Sequence, residues 1–243
     1  MALRSTISTP EGKRRYVRRL FSTIADRYDF ITGFLSYGQD RRWKRRAIAL
    51  AKLRAADSVL DLATGTGDLM FEAAPHVARV IGLDVTHRML QLARRRAVAV
   101  PDMVRRRCAL VTGDMGALPF ADGQFDLVTT GYGLRNVPVL AEAIREIHRM
   151  LVPGGRLVSL DFNKPEHPLV RQVYWVYLTL VGSGLGLVLH GDPDTYRYIP
   201  ESIRNYPGAE GVAALLREQG FDDVAVVKVL AGFMAIHVAT KRR

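Results

Sequence analysis

The sequence predicts an α/β fold, a seven-stranded and mostly parallel sheet with helices on both faces and an antiparallel last strand. Three observations lead there. Short apolar runs alternate with amphipathic segments along most of the 243 residues, the pattern of strand–helix–strand crossovers. A glycine-containing loop at 59–68 joins the first such strand to a helix. The last two strand patterns are joined by little more than Leu230-Ala231-Gly232. That link is too short for a helical crossover, so those strands run antiparallel.

Strands are expected near 57–62, 79–84, 107–112, 125–130, 155–162, 221–229 and 231–240, and helices near 13–27, 39–52, 67–75, 86–98, 137–151 and 209–219. In the first helix Tyr16, Val17, Leu20, Phe21 and Ile24 recur at helical spacing with Lys13, Arg14, Arg15, Arg18 and Arg19 between them. A basic amphipathic helix of this kind suits a membrane surface or an acidic partner. A second basic helix contains Arg41-Arg-Trp-Lys-Arg-Arg46. Residues 1–54 hold 14 of the 35 Lys/Arg and only 4 of the 24 Asp/Glu, so nearly all of the +11 net charge sits there. The expected organisation is therefore a basic helical extension at 1–54 and a main domain at 55–243. Pro153-Gly154-Gly155 reads as a tight turn feeding the fifth strand. Residues 163–207 break the alternation and form an insertion. Within it, Val173–Leu189 carries no charge over 17 residues. Gly182, Gly184 and Gly186 interrupt that piece, and it falls short of the ~20 apolar residues of a span. A lid or apolar pocket wall is expected, at the sheet edge where ligands of open α/β folds bind.

The chemistry starts at Val59-Leu-Asp-Leu-Ala-Thr-Gly-Thr-Gly-Asp68. Glycine lets a backbone approach a ligand closely, so a strand–loop–helix of this kind binds a nucleoside-containing cofactor. A Rossmann dinucleotide fingerprint needs a third small residue, and Met70 stands there. Asp61 and Asp68 flank the loop and would repel a diphosphate but not a cation. The spacing Asp61-x-Ala63-x-Gly65-x-Gly67 resembles the loop of class I methyltransferases dependent on S-adenosylmethionine (SAM), a sulfonium. Asp84 closes the next strand and can accept from ribose hydroxyls. Asp114 ends a third strand and can accept from an adenine amino group.

A wider set of segments points further. Ala25-Asp-Arg-Tyr-Asp29, Ser36-Tyr-Gly-Gln-Asp-Arg-Arg-Trp-Lys44, Thr130-Gly-Tyr-Gly-Leu-Arg-Asn-Val137, Leu151-Val-Pro-Gly-Gly-Arg-Leu157, Asp161-Phe-Asn-Lys-Pro165 and the run from Asp192 to Arg204 closely resemble the ubiquinone/menaquinone biosynthesis C-methyltransferase family. That resemblance implies a Rossmann-like SAM methyltransferase acting on a ring carbon of a prenylated quinol. It implies cofactor contacts at Asp61, Gly65, Thr66, Gly67, Asp84, Asp114, Met115 and Gly131. The family often has Asn-Ala at 114–115, Ser at 131 and His at 40, so no role of that histidine transfers to Asp40.

For the chemistry, the acceptor must be the reduced quinol, and its phenolate charge needs a partner. Arg135 is assigned that role, because a guanidinium stays protonated and cannot itself be the base. Tyr28, Asn136, Tyr196, Tyr198 and Glu201 are the expected acceptor-site groups. His237 lies in a strand pattern and is expected to be a packed histidine. The lone Cys108 gives no disulfide framework or Cys-based metal site, and no metal is expected. The N-terminus carries arginines without an apolar stretch, so a cytoplasmic protein peripheral to the inner membrane face is expected. Its partners would be the quinol and the membrane surface, with homodimerisation left open. A nucleic-acid partner is not expected, since the basic extension alone suggests one. The alternative activity is SAM-dependent methylation of another aromatic or lipid-like small molecule.

Overall fold

A computed structural model describes residues 2–165, 167–192 and 195–243. Pro193 and Asp194 of the 192–204 segment lie outside the described residues. Among those described, one sheet contains β1 (Ser58–Leu62), β2 (Arg79–Asp84), β3 (Cys108–Thr112), β4 (Phe125–Gly131), β5 (Leu151–Phe162), β6 (Phe221–Val229) and β7 (Met234–Lys241). Its order is β3-β2-β1-β4-β5-β7-β6. The strands from β3 to β5 pair in parallel, and β7 is antiparallel to both β5 and β6. The order reverses between β1 and β4, and open α/β sheets bind ligands at that point. The strand β5 begins earlier than expected. Pro153-Gly154-Gly155 lies inside it as a bulge, where the pairing jumps from Phe125–Leu151 to Leu127–Arg156. A bulge accommodates the proline's missing donor.

The helices are α1 (Ala2–Thr6), α2 (Pro10–Ile24), α3 (Tyr28–Leu35), α4 (Asp40–Leu50), α5 (Asp68–Ala73), α6 (His87–Ala97), α7 (Asp102–Arg105), α8 (Leu140–Met150), α9 (Pro168–His190), α10 (Tyr198–Asn205) and α11 (Gly208–Glu218). The first turn of α2 forms early because Thr9 caps it, its hydroxyl accepting from Gly12 N at 3.2 Å, with Pro10 behind it. Among the helices not expected, α1, α3, α7, α9 and α10, the longest is α9, which runs through Gly182, Gly184 and Gly186 without a break. Tyr196 packs on Gly182, where an added Cβ would sit at an ordinary contact distance of 3.4 Å from the Tyr196 side chain.

Alternate strand residues feed two apolar layers. Leu60, Leu62 and Val128 pack with Ile144 and Ile147 of α8 and Val212 of α11. Val59, Leu127 and Val158 pack with Trp43, Ala47 and Ile48 of α4 and with α5. A third cluster joins Val17, Leu20, Ile24 and Ile31 to Tyr196 and Tyr198. The segment 1–54 is thus built into the domain, with α4 in its core and α2 against the insertion. The apolar stripe expected on α2 is consumed by this packing, leaving only its basic back to solvent. The surface role expected of α2 therefore falls to that basic back.

One buried ion pair ties α4 to the sheet. Arg156 of β5 donates to Ala51 O at 2.7 Å and Lys52 O at 2.5 Å, the last carbonyls of the α4 turn, and to Asp57 Oδ2 at 2.5 Å. A cation at a helix C-terminus satisfies the orphan carbonyls and the helix dipole. Arg156→Met should therefore lower unfolding stability by about 3–5 kcal/mol in urea titrations, because Asp57 would remain buried and unpaired.

Candidate active site

Two cavities open at the C-terminal edge of the parallel strands. The first is narrow, about 90 Å³, and is lined by Gly65, Asp84, Asp114, Met115, Gly131 and Asn136 with an apolar floor of Leu83, Val85 and Met89. Arg14, Val17 and Phe21 of α2 close it from above. Arg14 Nε donates to Asp114 Oδ2 at 2.8 Å, and Lys13 Nζ donates to Arg135 O at 3.0 Å, so α2 is strapped down at both cavity walls. Asp84 accepts from Gly65 N at 2.9 Å and Thr86 N at 2.8 Å. Burial pushes its carboxyl up, against those two backbone donors. These features fit a nucleoside bearing a positive charge. Gly65 has φ +56° and open space where a Cβ would project, acids end two adjacent strands, and the floor between them is apolar.

The loop beneath is held by a buried carboxylate. Asp61 is 1% exposed and accepts from Thr64 Oγ1 at 2.6 Å and Thr129 Oγ1 at 2.7 Å. Burial raises its pKa to about 6 even against those hydroxyls. Asp61 and Thr66 therefore face a small polar space under the loop, not the nucleoside cleft. The Thr66 hydroxyl donates to Asp29 Oδ1 and accepts from Arg96 Nη1, each at 2.8 Å. Gly67 lines neither cavity. It adopts φ +91° at the start of α5, and a Cβ there would meet Phe71 at 2.6 Å. Beside the loop, Lys44 Nζ donates at 2.6 Å to both Asp40 Oδ2 and Asp68 Oδ2. Burial opposes the charge on Lys44, but the two carboxylates outweigh it and hold its pKa above the usual lysine value. Asp40 Oδ1 accepts from Tyr132 Oη at 2.6 Å.

The second cavity is wider, about 600 Å³, and mostly apolar, with Leu20, Ile24, Ile31, Tyr174, Leu178 and Phe233 among its walls. It also touches Arg135, Tyr196 and Tyr198. Tyr28 and Tyr132 line both cavities and so mark where they meet. Arg135 is 7% exposed. Its Nε lies 3.2 Å from Asp161 Oδ1, an ion-pair contact without hydrogen-bond alignment. Its Nη1 donates to Asn136 Oδ1 and Ser202 Oγ, each at 3.0 Å, and its guanidinium lies 4.8 Å from the Phe162 ring centroid. Tyr198 Oη is buried without a hydrogen-bond partner.

Two expected acceptor residues fall elsewhere. Asn136 borders the nucleoside cleft, and Glu201 lies on α10 facing Arg204 at 3.6 Å, outside the cavity lining. His237 is packed as expected, its Nε2 2.9 Å from Ala209 O, with burial lowering its pKa. Lys44, Tyr132 and Asp161 carry site geometry that sequence reasoning missed. The i,i+4 spacing of Asp40 and Lys44 was the available signal for the first.

The sequence pattern of the ubiE/COQ5 methyltransferase family matches residues 9–241. The chain belongs to that family. Among its relatives, the demethylmenaquinone methyltransferase of Thermus thermophilus is 43% identical, over 91% of this chain and 100% of its own length. That of Roseiflexus castenholzii is 37% identical over 98% of both chains. The ubiquinone/menaquinone biosynthesis C-methyltransferase of Pseudomonas fluorescens is 37% identical, over 96% of this chain and 92% of its own. Solved structures share the fold at lower identity. A SAM-dependent methyltransferase from Thermotoga maritima superposes with a TM-score of 0.66 at 17% identity, covering 93% of this chain and 100% of that one. The [4+2]-cyclase SpnF also matches, with a TM-score of 0.62 at 21% identity over 83% of this chain and 80% of that one, so the fold by itself does not fix the reaction. Membership of the family identifies the chain as a SAM-dependent methyltransferase.

The raised pKa of Asp61 gives a signed expectation. Its native value lies near 6 and its ordinary value at 3.8. The folded state therefore holds the proton more tightly, and this group stabilises the fold as pH falls from 6 towards 4. Above pH 6 the ionised, buried carboxylate costs roughly 3 kcal/mol at 1.36 kcal/mol per pKa unit. Asp61→Asn should raise stability at pH 7.5 and flatten the difference between pH 4 and 6, as read by urea unfolding across that range.

Proposed function

We propose that the chain transfers a methyl group from SAM to a ring carbon of a reduced, prenylated quinol, the step named by its demethylmenaquinone and ubiquinone/menaquinone relatives. The observation that carries this reading is the junction of a narrow acidic nucleoside cleft with an apolar cavity of about 600 Å³ at Tyr28 and Tyr132. When bound, SAM supplies an already activated methyl group, so the protein's task is alignment and exclusion of water. Asp84 would hold the ribose, Asp114 and Met115 the adenine, and the Gly65 and Gly131 backbones the edge of the nucleoside. Asp61, Thr66 and Gly67 would act on the shape of the loop. Arg135 would stabilise negative charge on the acceptor oxygen, and the unpartnered Tyr198 hydroxyl would donate to the quinol. Tyr196 and Tyr28 would wall the ring, and the apolar cavity would take the start of the tail.

A prenylated substrate lives in a bilayer, and the cavity opens beside apolar surface. Phe30, Phe34 and Tyr37 around α3 and Leu169, Val173 and Leu180 on α9 are all exposed. The helix α9 is long and apolar enough to cross a membrane by length and composition, and only 17% of its apolar window is buried. The reading we favour is peripheral docking of α3 and α9 on the bilayer, with the basic back of α2 adding attraction to anionic headgroups. A second copy of the chain is the competing cover for that surface.

Calorimetric titration should show SAM binding, and Asp84→Ala should weaken it at least about tenfold, the loss of charge-assisted contacts. With labelled SAM, reduced demethylmenaquinone or the corresponding benzoquinol should accept the methyl group; tight SAM binding with neither quinol methylated would move the assignment to another aromatic acceptor. Arg135→Lys should slow turnover and spare SAM affinity. Val173→Glu with Leu180→Glu should reduce sedimentation with anionic vesicles, whereas unchanged sedimentation with a dimer-to-monomer shift in light scattering would assign the surface to self-association.

A further inference from the structure

We propose that Tyr132 and Asp40 form a proton relay that takes the acceptor's hydroxyl proton, so that the ring is held as its phenolate. The inference deepens the function just proposed and rests on the acceptor being a phenol. Tyr132 lines both cavities at the point where they meet. It is a non-glycine residue held at φ +61°, a conformation that persists only where its surroundings impose it. Here the Tyr132 N–H donates to Leu160 O at 2.7 Å and its hydroxyl donates to Asp40 Oδ1 at 2.6 Å. Asp40 is 6% exposed and lines neither cavity, so a proton from the acceptor reaches it through the tyrosine.

Behind Asp40 lies a row of paired charges. Asp40, Lys44, Asp68 and Arg96 alternate in sign, with Lys44 between the two acids at 2.6 Å each and Arg96 2.7 Å from Asp68. Asp29 Oδ2 also lies 3.6 Å from Arg96, so three acids face two bases, and the cluster carries one net negative formal charge that one added proton cancels.

Asp161, His237 and Tyr196 fit less well. Asp161 lines neither cavity and its oxygens already face the Arg135 and Phe162 backbone N–H groups. His237 is bonded to Ala209 O in the β7 layer. Tyr196, paired with His190 at 2.9 Å, reaches only the acceptor cavity.

The step balances. The acceptor O–H bond breaks as Tyr132 Oη gains that proton and passes its own to Asp40 Oδ1. The ring carbon bonds the methyl carbon as the methyl–sulfur bond breaks, its electron pair remaining on sulfur. The proton left on the methylated carbon goes to water, its electron pair restores the ring, and Asp40 returns its proton through Tyr132 to the oxygen.

The test uses the full chain with sinefungin, a cationic and unreactive analogue of SAM, and the monomethyl ether of a naphthoquinol, which cannot be oxidised to the quinone. The wild type should show the red-shifted phenolate band in ultraviolet difference spectra. Tyr132→Phe and Asp40→Asn should each lose it, slow methyl transfer about a hundredfold or more, and keep SAM affinity within about threefold. The double variant should be no slower than the worse single one, because the two act as a unit. No phenolate band in the wild type, a band or rate retained in Tyr132→Phe, or loss of SAM binding in both variants would overturn the relay. A band lost only in Tyr196→Phe would overturn it in favour of the His190 pair. A wild type that shows the band but methylates no quinol would sink the quinol assignment and support the relay for another phenol.

Discussion

The carboxylate of Asp61, held out of water at the end of β1, is the constraint on which the rest of the site depends. Its two oxygens take hydroxyls from opposite directions, Thr64 in the loop and Thr129 on β4. One residue thereby fixes the turn of the loop and the register of the two strands between which the sheet order reverses. A buried charge without donors would be driven to neutralise, so both threonines are needed for Asp61 to keep its position. Everything above it, including Gly65 facing Asp84 and Gly67 opening α5, inherits that geometry.

The same economy of paired charges recurs wherever polar groups leave solvent. Arg156 meets Asp57, Arg135 meets Asp161, and Lys44 meets two acids at once. None of these pairs is a simple surface bridge. Each holds an element end against the sheet, so the polar atoms that stiffen the fold also shape the cavity walls. The insertion works differently. It contributes mostly aliphatic side chains and tyrosines, of which Tyr196 and Tyr198 are fully buried.

The positions of the strands and the reversed β7 were legible because short apolar runs and a three-residue link leave little freedom, whereas the order of strands in the sheet was not read. Asp84, Asp114 and Gly65 were legible for a related reason, since a strand end followed by a loop is a local feature. Thr66 and Gly67, expected as cofactor contacts, line neither of the two large cavities, and proximity in sequence does not say which way a loop residue points. The pairing of Tyr132 with Asp40 spans 92 positions, and nothing local announces it. The helix α9 escaped notice because a segment that is apolar on every side has no periodicity to read, and its glycines looked like breaks. The apolar stripe of α2 was seen, but its partner surface lies in the insertion, so its packing against Tyr196 and Tyr198 could not be inferred from α2 alone.

One helix, α2, supplies wall to both cavities, and Phe21 reaches into each. A ligand that displaced α2 in one cavity would reshape the other as well, and a coupling of affinities built on that helix would be equal in both directions.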